Sequence, residues 1–249
     1  MTERTSGFTI RYGHFLFKYR NTVFPIVLIA LLAGFRPVEP LGDARLDFWM
    51  DILGLSVALL GQGLRVLVIG LAYIRRGGRN KQVHADRLVT DGIFRHCRNP
   101  LYVGNLLILA GLFIVHNNPW VYLIGGAFFL YGYHAIVAAE ESFLLDKFGD
   151  DYAAYCRQVN RWLPRLAHLT ETLQGMEFHW RRVVAKDYSS AYAWMVLAIL
   201  LLAGEVQLRS TWPENARPMF GLGVALAGIT LAFLVAWRLK KTRRLGNVK

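Results

Sequence analysis

Cysteine is scarce in this chain, and acidic residues are outnumbered by basic ones. The two cysteines, Cys97 and Cys156, offer neither a disulfide framework nor a cysteine-based metal site. Both fall in segments that we predict to face the cytoplasm, where thiols stay reduced. Aspartate and glutamate number 17 against 29 lysines and arginines, so the formal net charge is +12. Such an excess suits nucleic acid or an anionic membrane surface, and the position of the charges decides between them.

Long polar stretches are also missing, since 54% of the residues are hydrophobic and the mean hydropathy is +0.30. This is too much apolar surface for one soluble core. Runs near or above the roughly 17 to 25 residues that span a bilayer cover residues 15–35, 50–73, 101–115 with its flanks, 120–139, 191–206 and 219–237. We therefore predict an all-α, polytopic integral membrane bundle of about six transmembrane helices. No signal-peptide cleavage pattern precedes the first run, so we expect that helix to be retained.

The basic residues alternate from loop to loop along the chain. They are concentrated before the first predicted span, between the second and third, after the fourth, and in the C-terminal tail. This is the positive-inside pattern, so we expect both termini and both long loops to face the cytoplasm, most simply at a bacterial inner membrane. An anionic lipid leaflet accounts for the charge, and no nucleic acid is expected as a partner.

A basic loop, RLVTDGIFRHCRNPLYVG, runs from Arg87 to Gly104 and leads into the third apolar run. Gly92 can adopt backbone angles that other residues avoid. Pro100 suits the first turn of a helix, where its missing N–H costs nothing. Arg98 carries a permanently charged, planar guanidinium group, which suits a carboxylate or a phosphate as a ligand. His96 lacks a second ligand at metal spacing, so we expect a solvated loop histidine there and no metal site.

Two further polar features lie within or beside apolar runs. Arg65 and Gln62 interrupt the second span, and a charge at that depth normally faces the bundle interior or a wet cavity. A structural pairing of Arg65 for helix packing is the alternative. Glu140 and Glu141 follow the fourth span; adjacent helical residues point about 100° apart, so their roles must differ. A solvated helix end is the simpler interpretation of the glutamate pair alone.

The ordered set of motifs resembles the isoprenylcysteine carboxyl methyltransferase and phospholipid methyltransferase superfamily of integral membrane enzymes. The set comprises G-Q-G-L-R from Gly61, L-V-T-D-G-I-F with R-N-P-L-Y-V-G from Leu88, the acidic run from Glu140 to Tyr155, and R-W-L-P from Arg161. The resemblance covers about residues 50–165. It implies a cytoplasm-facing pocket for S-adenosylmethionine, a lipidic or amphipathic methyl acceptor, surrounding membrane lipids and no required metal.

The resemblance also implies the site residues. Arg98 would hold the cofactor carboxylate, Tyr102 would face the sulfonium, and Glu140 or Glu141 would take the hydroxyls or the α-amino group. We predict Arg65 and Glu141 as catalytic residues. Arg65 would recognise the methyl acceptor, and its expected partner is an anionic group of the acceptor or the glutamate pair. The full predicted cofactor set is Leu88, Val89, Gly92, Arg98, Asn99, Pro100, Tyr102, Gly104, Glu140 and Glu141, in which Leu88 and Val89 would line the adenine.

Departures from the family pattern put a prenylcysteine acceptor in doubt. Gln62 stands where the family has glutamate, Asp86 where histidine is common, and Ala138 and Ala139 where arginines precede the glutamate pair. We predict three segments: 1–49 with an N-terminal anchor and first helix, 50–165 as a methyltransferase core, and 166–249 with an interfacial segment and a structural helix pair. The alternative functions are an NADPH-dependent membrane reductase of the sterol type and a non-enzymatic small transporter or assembly factor.

Overall fold

The computed structural model of the protein describes residues 6–71, 83, 85, 87–211 and 213–242. Every regular element within these ranges is helical, which confirms the predicted all-α membrane bundle. The helices are α1 (Gly7–Gly34), α2 (Ala44–Leu71), α3 (Pro100–His116), α4 (Gly126–Gln158), α5 (Leu169–Gln174), α6 (Trp180–Arg209) and α7 (Ala216–Lys241).

Five of these helices are long and apolar enough to cross a membrane, namely α1, α2, α4 with the π-helical turn Val121–Gly125 before it, α6 and α7. Helix α3 is the third predicted span, and at 17 residues it is the shorter apolar helix of the bundle. Helix α4 continues past Glu140 and Glu141 to Gln158, with non-helical angles at Gly149. The glutamate pair therefore lies inside a helix, and the interpretation as a solvated helix end was wrong.

The chain forms two compact structural units. The first comprises Met1–Arg36, Ala72–Leu106 and Asn118–Met176, and the second comprises Pro37–Leu71, Leu107–Asn117 and Glu177–Lys249. Helix α3 thus contributes its first turns to the first unit and its remainder to the second. The three consecutive segments predicted from the sequence follow a different criterion, and they remain a prediction.

In the first unit, α1 packs along α4. The Ser6 hydroxyl caps α1 by accepting a hydrogen bond from the Thr9 N–H, so the helix begins at Gly7, before the predicted span 15–35. A Cβ atom at position 13 would overlap the Ala135 carbonyl, so only glycine permits this approach of the two helices. Leu16 and Phe17 of α1 join Ile136 of α4 in a buried apolar core.

In the second unit, α6 packs against α2 and α7. Helix α6 begins at Trp180, well before the predicted span 191–206, so it includes part of the segment that we expected to be interfacial. A Cβ atom at Gly111 of α3 would overlap the Gly54 carbonyl of α2, which shows how closely the two backbones approach. The segment before α6 is tied to the end of α2 because the His179 N–H donates to the Gly70 carbonyl at 2.9 Å.

Three buried carboxyl groups, on Asp47, Asp51 and Glu205, also lie in the second unit, with their nearest oxygens within 4.8 Å of one another. Arg209 is ion-paired with Asp47 and lies 3.6 Å from Glu205. Its guanidinium therefore supplies positive charge to a group that links α2 with the end of α6. The expectation that the protein needs no metal remains a prediction.

The predicted orientation can be tested with Cys156, because the structure makes Cys97 a poor reporter. Cys97 is 1% exposed, whereas Cys156 is half-buried near the end of α4. If both termini are cytoplasmic, a membrane-impermeant maleimide should modify Cys156 in inside-out vesicles and spare it in intact cells. Leu41 is 96% exposed on the opposite predicted side, so Leu41→Cys should show the reverse pattern. Modification of Cys156 in intact cells would contradict the orientation.

Candidate active site

The basic loop before α3 takes the form that its sequence predicts. Gly92 has a φ angle of 61° and begins a short 3₁₀ turn, Gly92–Arg95. A Cβ atom at this position would also overlap the end of the Met176 side chain. Pro100 then begins α3. The loop therefore delivers Arg98 and Asn99 directly to the start of the helix.

The segment after α4 holds this loop in place through its backbone. The Arg98 N–H donates to the Asn160 carbonyl at 3.0 Å, and the Asn99 side-chain amide donates to the Arg161 carbonyl at 3.1 Å. The Arg165 N–H donates to the His96 carbonyl at 2.9 Å. These bonds join the two motifs that the sequence places about sixty residues apart, R-N-P and R-W-L-P.

His96 is part of this connection, and the expectation of a solvated histidine was wrong. Its side chain is buried, with Nδ1 2.6 Å from the Arg165 carbonyl and Nε2 2.9 Å from the Thr172 hydroxyl. Cys97 beside it is buried too, and its thiol donates to the Trp162 carbonyl at 3.5 Å. Burial raises the pKa of the Cys97 thiol, which keeps it protonated. Both side chains have structural roles.

Glu141 is held between two guanidinium groups. Arg161 Nη2 donates to Glu141 Oε2 at 2.5 Å, and Arg161 Nε donates to Oε1 at 3.2 Å. Arg98 Nη2 lies 3.5 Å from Glu141 Oε1 on the other side. Two permanent cations thus share one carboxylate, which leaves a local excess of one positive charge. Arg98 Nε is buried and has no hydrogen-bond partner in the described part of the chain.

Glu140 faces a different set of partners. The Tyr102 hydroxyl donates to Glu140 Oε1 at 2.9 Å, and Arg20 Nη1 of α1 donates to the same hydroxyl at 2.7 Å. The rings of Tyr102 and Tyr133 lie 5.4 Å apart between their centroids. The two adjacent glutamates therefore have separate environments, as their positions on a helix require.

The remaining predicted cofactor residues occupy less defined positions. Leu88 and Val89 are half-buried in the loop before the 3₁₀ turn, and Gly104 is buried in the second turn of α3. All of these positions belong to the first unit, together with Arg98, Asn99, Pro100, Tyr102, Glu140 and Glu141. Their roles toward a cofactor remain predictions.

Arg65 belongs to the second unit and has a partner that the sequence analysis missed. It is 3% exposed and forms an ion pair with Asp187 of α6. Gln62 donates to the other Asp187 oxygen at 2.7 Å, and the Trp194 indole donates to Gln62 at 2.9 Å. The expected partners of Arg65, an acceptor anion or the glutamate pair, are corrected to Asp187. A catalytic role for Arg65 remains a prediction.

Sequence reasoning also passed over Arg20 and Arg161. Arg161 is the first residue of the R-W-L-P motif, but the sequence analysis predicted no role for its side chain. Arg20 lies within the first apolar run, 15–35, and no role was predicted for it. The signal available for Asp187 was an acidic residue close to the start of an apolar run, which is costly there unless it is paired.

A model of the phospholipid methyltransferase family matches residues 49–151. The curated relatives include protein-S-isoprenylcysteine O-methyltransferases from Arabidopsis thaliana and Tribolium castaneum. The family match and these relatives support the resemblance of this chain to the isoprenylcysteine carboxyl methyltransferase and phospholipid methyltransferase superfamily. A membrane methyltransferase is the class of protein that the family and these relatives support.

The relatives cover different shares of the chain. The Arabidopsis form B is 25% identical over 55% of this chain and 71% of its own length. The Tribolium protein is 32% identical over 47% of this chain and 42% of its own length. The cobalt-zinc-cadmium resistance protein CzcN of Cupriavidus metallidurans is 29% identical over 65% of this chain and 71% of its own length. No solved structure matches at comparable significance.

The pairing of Arg65 with Asp187 generates a stability prediction. Asp187→Asn or Arg65→Gln removes one charge of this buried ion pair, which costs about 3 to 5 kcal/mol. Each variant should therefore melt well below the wild type in detergent, as followed by circular dichroism. The double variant should recover part of the loss, because neither charge is then left alone. Glu214→Gln, at an exposed position, is the control. If both single variants melted at the same temperature as the wild type, the ion pair would contribute no stability.

Proposed function

We propose that this protein is an S-adenosylmethionine-dependent methyltransferase that acts on a lipidic or amphipathic acceptor within the membrane. The observation that carries the proposal is the Arg98 environment in the first unit. Two arginines meet one carboxylate there, and a buried guanidinium N–H of Arg98 lacks a partner in the described part of the chain. A buried unpaired donor is costly, so an anionic ligand group would stabilise it.

The groups of S-adenosylmethionine fit the residues that surround Arg98. The cofactor carboxylate matches the unpartnered Arg98 donor. The α-amino group and ribose hydroxyls match carboxylate acceptors, which Glu140 and Glu141 provide. The sulfonium matches the faces of aromatic rings; Tyr102, whose hydroxyl donates to Glu140, has its ring next to that of Tyr133. When bound, the cofactor would supply an activated methyl group on a positively charged sulfur.

In this reaction the protein would position the two reactants and exclude water from them. Methyl transfer from a sulfonium is an in-line displacement, so holding the reactants in line accounts for much of the rate. Glu141, fixed between Arg98 and Arg161, would keep the Arg98 guanidinium oriented toward the cofactor. We keep Arg65 as the residue proposed to read the polar head of the acceptor, with Asp187 as its resting partner.

Cofactor binding is the direct test. In isothermal titration of the detergent-purified protein, the wild type should bind S-adenosylmethionine. Arg98→Ala should bind roughly ten- to a hundredfold more weakly, because about 1.5 to 3 kcal/mol is lost with a charge-assisted hydrogen bond. Arg95→Ala removes an exposed arginine from the same loop, so it should bind like the wild type. A wild-type protein without affinity for the cofactor would end the proposal.

The acceptor can be identified by isotope labelling. Membranes from cells fed with methyl-deuterated methionine should contain a labelled lipid or lipidated species that is absent from cells without the protein. Release of the label by mild base would indicate a methyl ester, whereas stable label would indicate an amine acceptor. Because Arg65→Gln is expected to be less stable, it is compared at equal amounts of folded protein; it should then lose the labelled product while keeping cofactor affinity within a few-fold of the wild type. Undiminished labelling in that variant would remove Arg65 from the site.

A further inference from the structure

Arg20 contacts the candidate site from outside the region that matches the family model. It lies on α1, roughly 20 Å along the helix from Gly7 at 1.5 Å per residue. The family match begins only at residue 49. No role has been assigned to α1 beyond anchoring, yet α1 packs along α4, the helix that carries Glu140.

The Arg20 side chain is held on two sides. Its guanidinium lies 4.3 Å from the centre of the buried Phe17 ring, in a cation–π contact within α1. On the other side, its Nη1 donates to the Tyr102 hydroxyl at 2.7 Å. A charge placed this far along an apolar helix is costly, so these two contacts stabilise the Arg20 conformation.

The contact with Arg20 fixes the direction of the Tyr102 hydroxyl. An arginine has only donors, so it must use the phenolic oxygen as an acceptor. The single phenolic proton must then point elsewhere, and Glu140 Oε1 receives it at 2.9 Å. A chain of two hydrogen bonds thus runs from Arg20 through Tyr102 to Glu140. Charge-assisted bonds in such a chain strengthen one another.

We propose that Arg20 is a positioning residue of the cofactor site, which acts through the Tyr102 hydroxyl to orient the Glu140 carboxylate. The inference rests on the proposed function, because it assigns Arg20 to the S-adenosylmethionine pocket. Without Arg20, the Tyr102 hydroxyl can rotate and can accept from other donors. Glu140 then loses the fixed partner that holds its first oxygen, and with it a defined position for its second oxygen.

A double-mutant cycle on cofactor affinity tests the proposal. The full-length, detergent-purified protein is titrated with S-adenosylmethionine as wild type, Arg20→Gln, Tyr102→Phe and the double variant. We expect Arg20→Gln to weaken binding about tenfold or more, in the range of one charge-assisted bond. Because Arg20 acts through Tyr102, the double variant should bind within about twofold of Tyr102→Phe alone. Arg11→Gln removes a cation from an exposed position of the same helix, so it should bind like the wild type.

The possible results separate this inference from the proposed function. If the wild type does not bind the cofactor, the proposed function fails. If the wild type binds and Arg20→Gln binds equally well, only the role of Arg20 fails. If the fold-losses in affinity of the two single variants multiply in the double variant, the role of Arg20 is also overturned. A merely structural arginine would weaken binding by the same factor whether or not the Tyr102 hydroxyl is present. Should Arg20→Gln not fold, Arg20→Lys replaces it in the same cycle and is judged by the same criterion, because lysine keeps a cation in α1 without the planar fork.

Discussion

A charge inside an apolar bundle is tolerated only where an opposite charge or a strong hydrogen bond meets it. Two ion pairs of this protein follow that constraint. In the second unit, Arg65 meets Asp187, and Arg209 meets Asp47. Each pair joins residues of α2 to residues of α6. The electrostatic requirement therefore also determines which stretches of chain lie together.

The first unit satisfies the same constraint incompletely, because Arg98 Nε is buried without a hydrogen-bond partner in the described part of the chain. Arg98 and Arg161 share Glu141, so one positive charge is not cancelled by that carboxylate. Glu141 already orients the guanidinium groups of Arg98 and Arg161, and donors oriented in advance need no reorganisation when a ligand binds. In the proposed function, the anionic group of the cofactor would complete the set of partners. A fully neutral cluster of the same size would give a ligand much less to gain.

The helices could be predicted from the sequence because hydropathy is a local property. Most apolar runs became helices, and the Gly92 turn and the Pro100 helix start follow from the chemistry of those two residues alone. The start of α6 could not be found this way, because an apolar window does not register the polar turns with which α6 begins, and a cap such as Ser6 weighs little in a hydropathy window. The Glu140 and Glu141 positions were identified, while their partners were not.

Those partners are distant in sequence, which explains why they were missed. Arg65 and Asp187 are separated by 122 positions, and Arg20 and Tyr102 by 82. A pairing across such distances leaves no periodic pattern in a single chain. His96 illustrates the same limit, because its solvation could be judged only once Thr172, 76 positions away, was placed against it.

The close approach at Gly13 bears on how the N-terminal part of the protein can be changed. A foreign apolar helix in place of α1 would still insert into a bilayer, because insertion depends on hydropathy and length. It would not reproduce the surface that lies against the Ala135 backbone, where even one methyl group is too large. The first helix is therefore a fitted part of the folded protein, and an exchange that preserves targeting would still disrupt the α1–α4 packing.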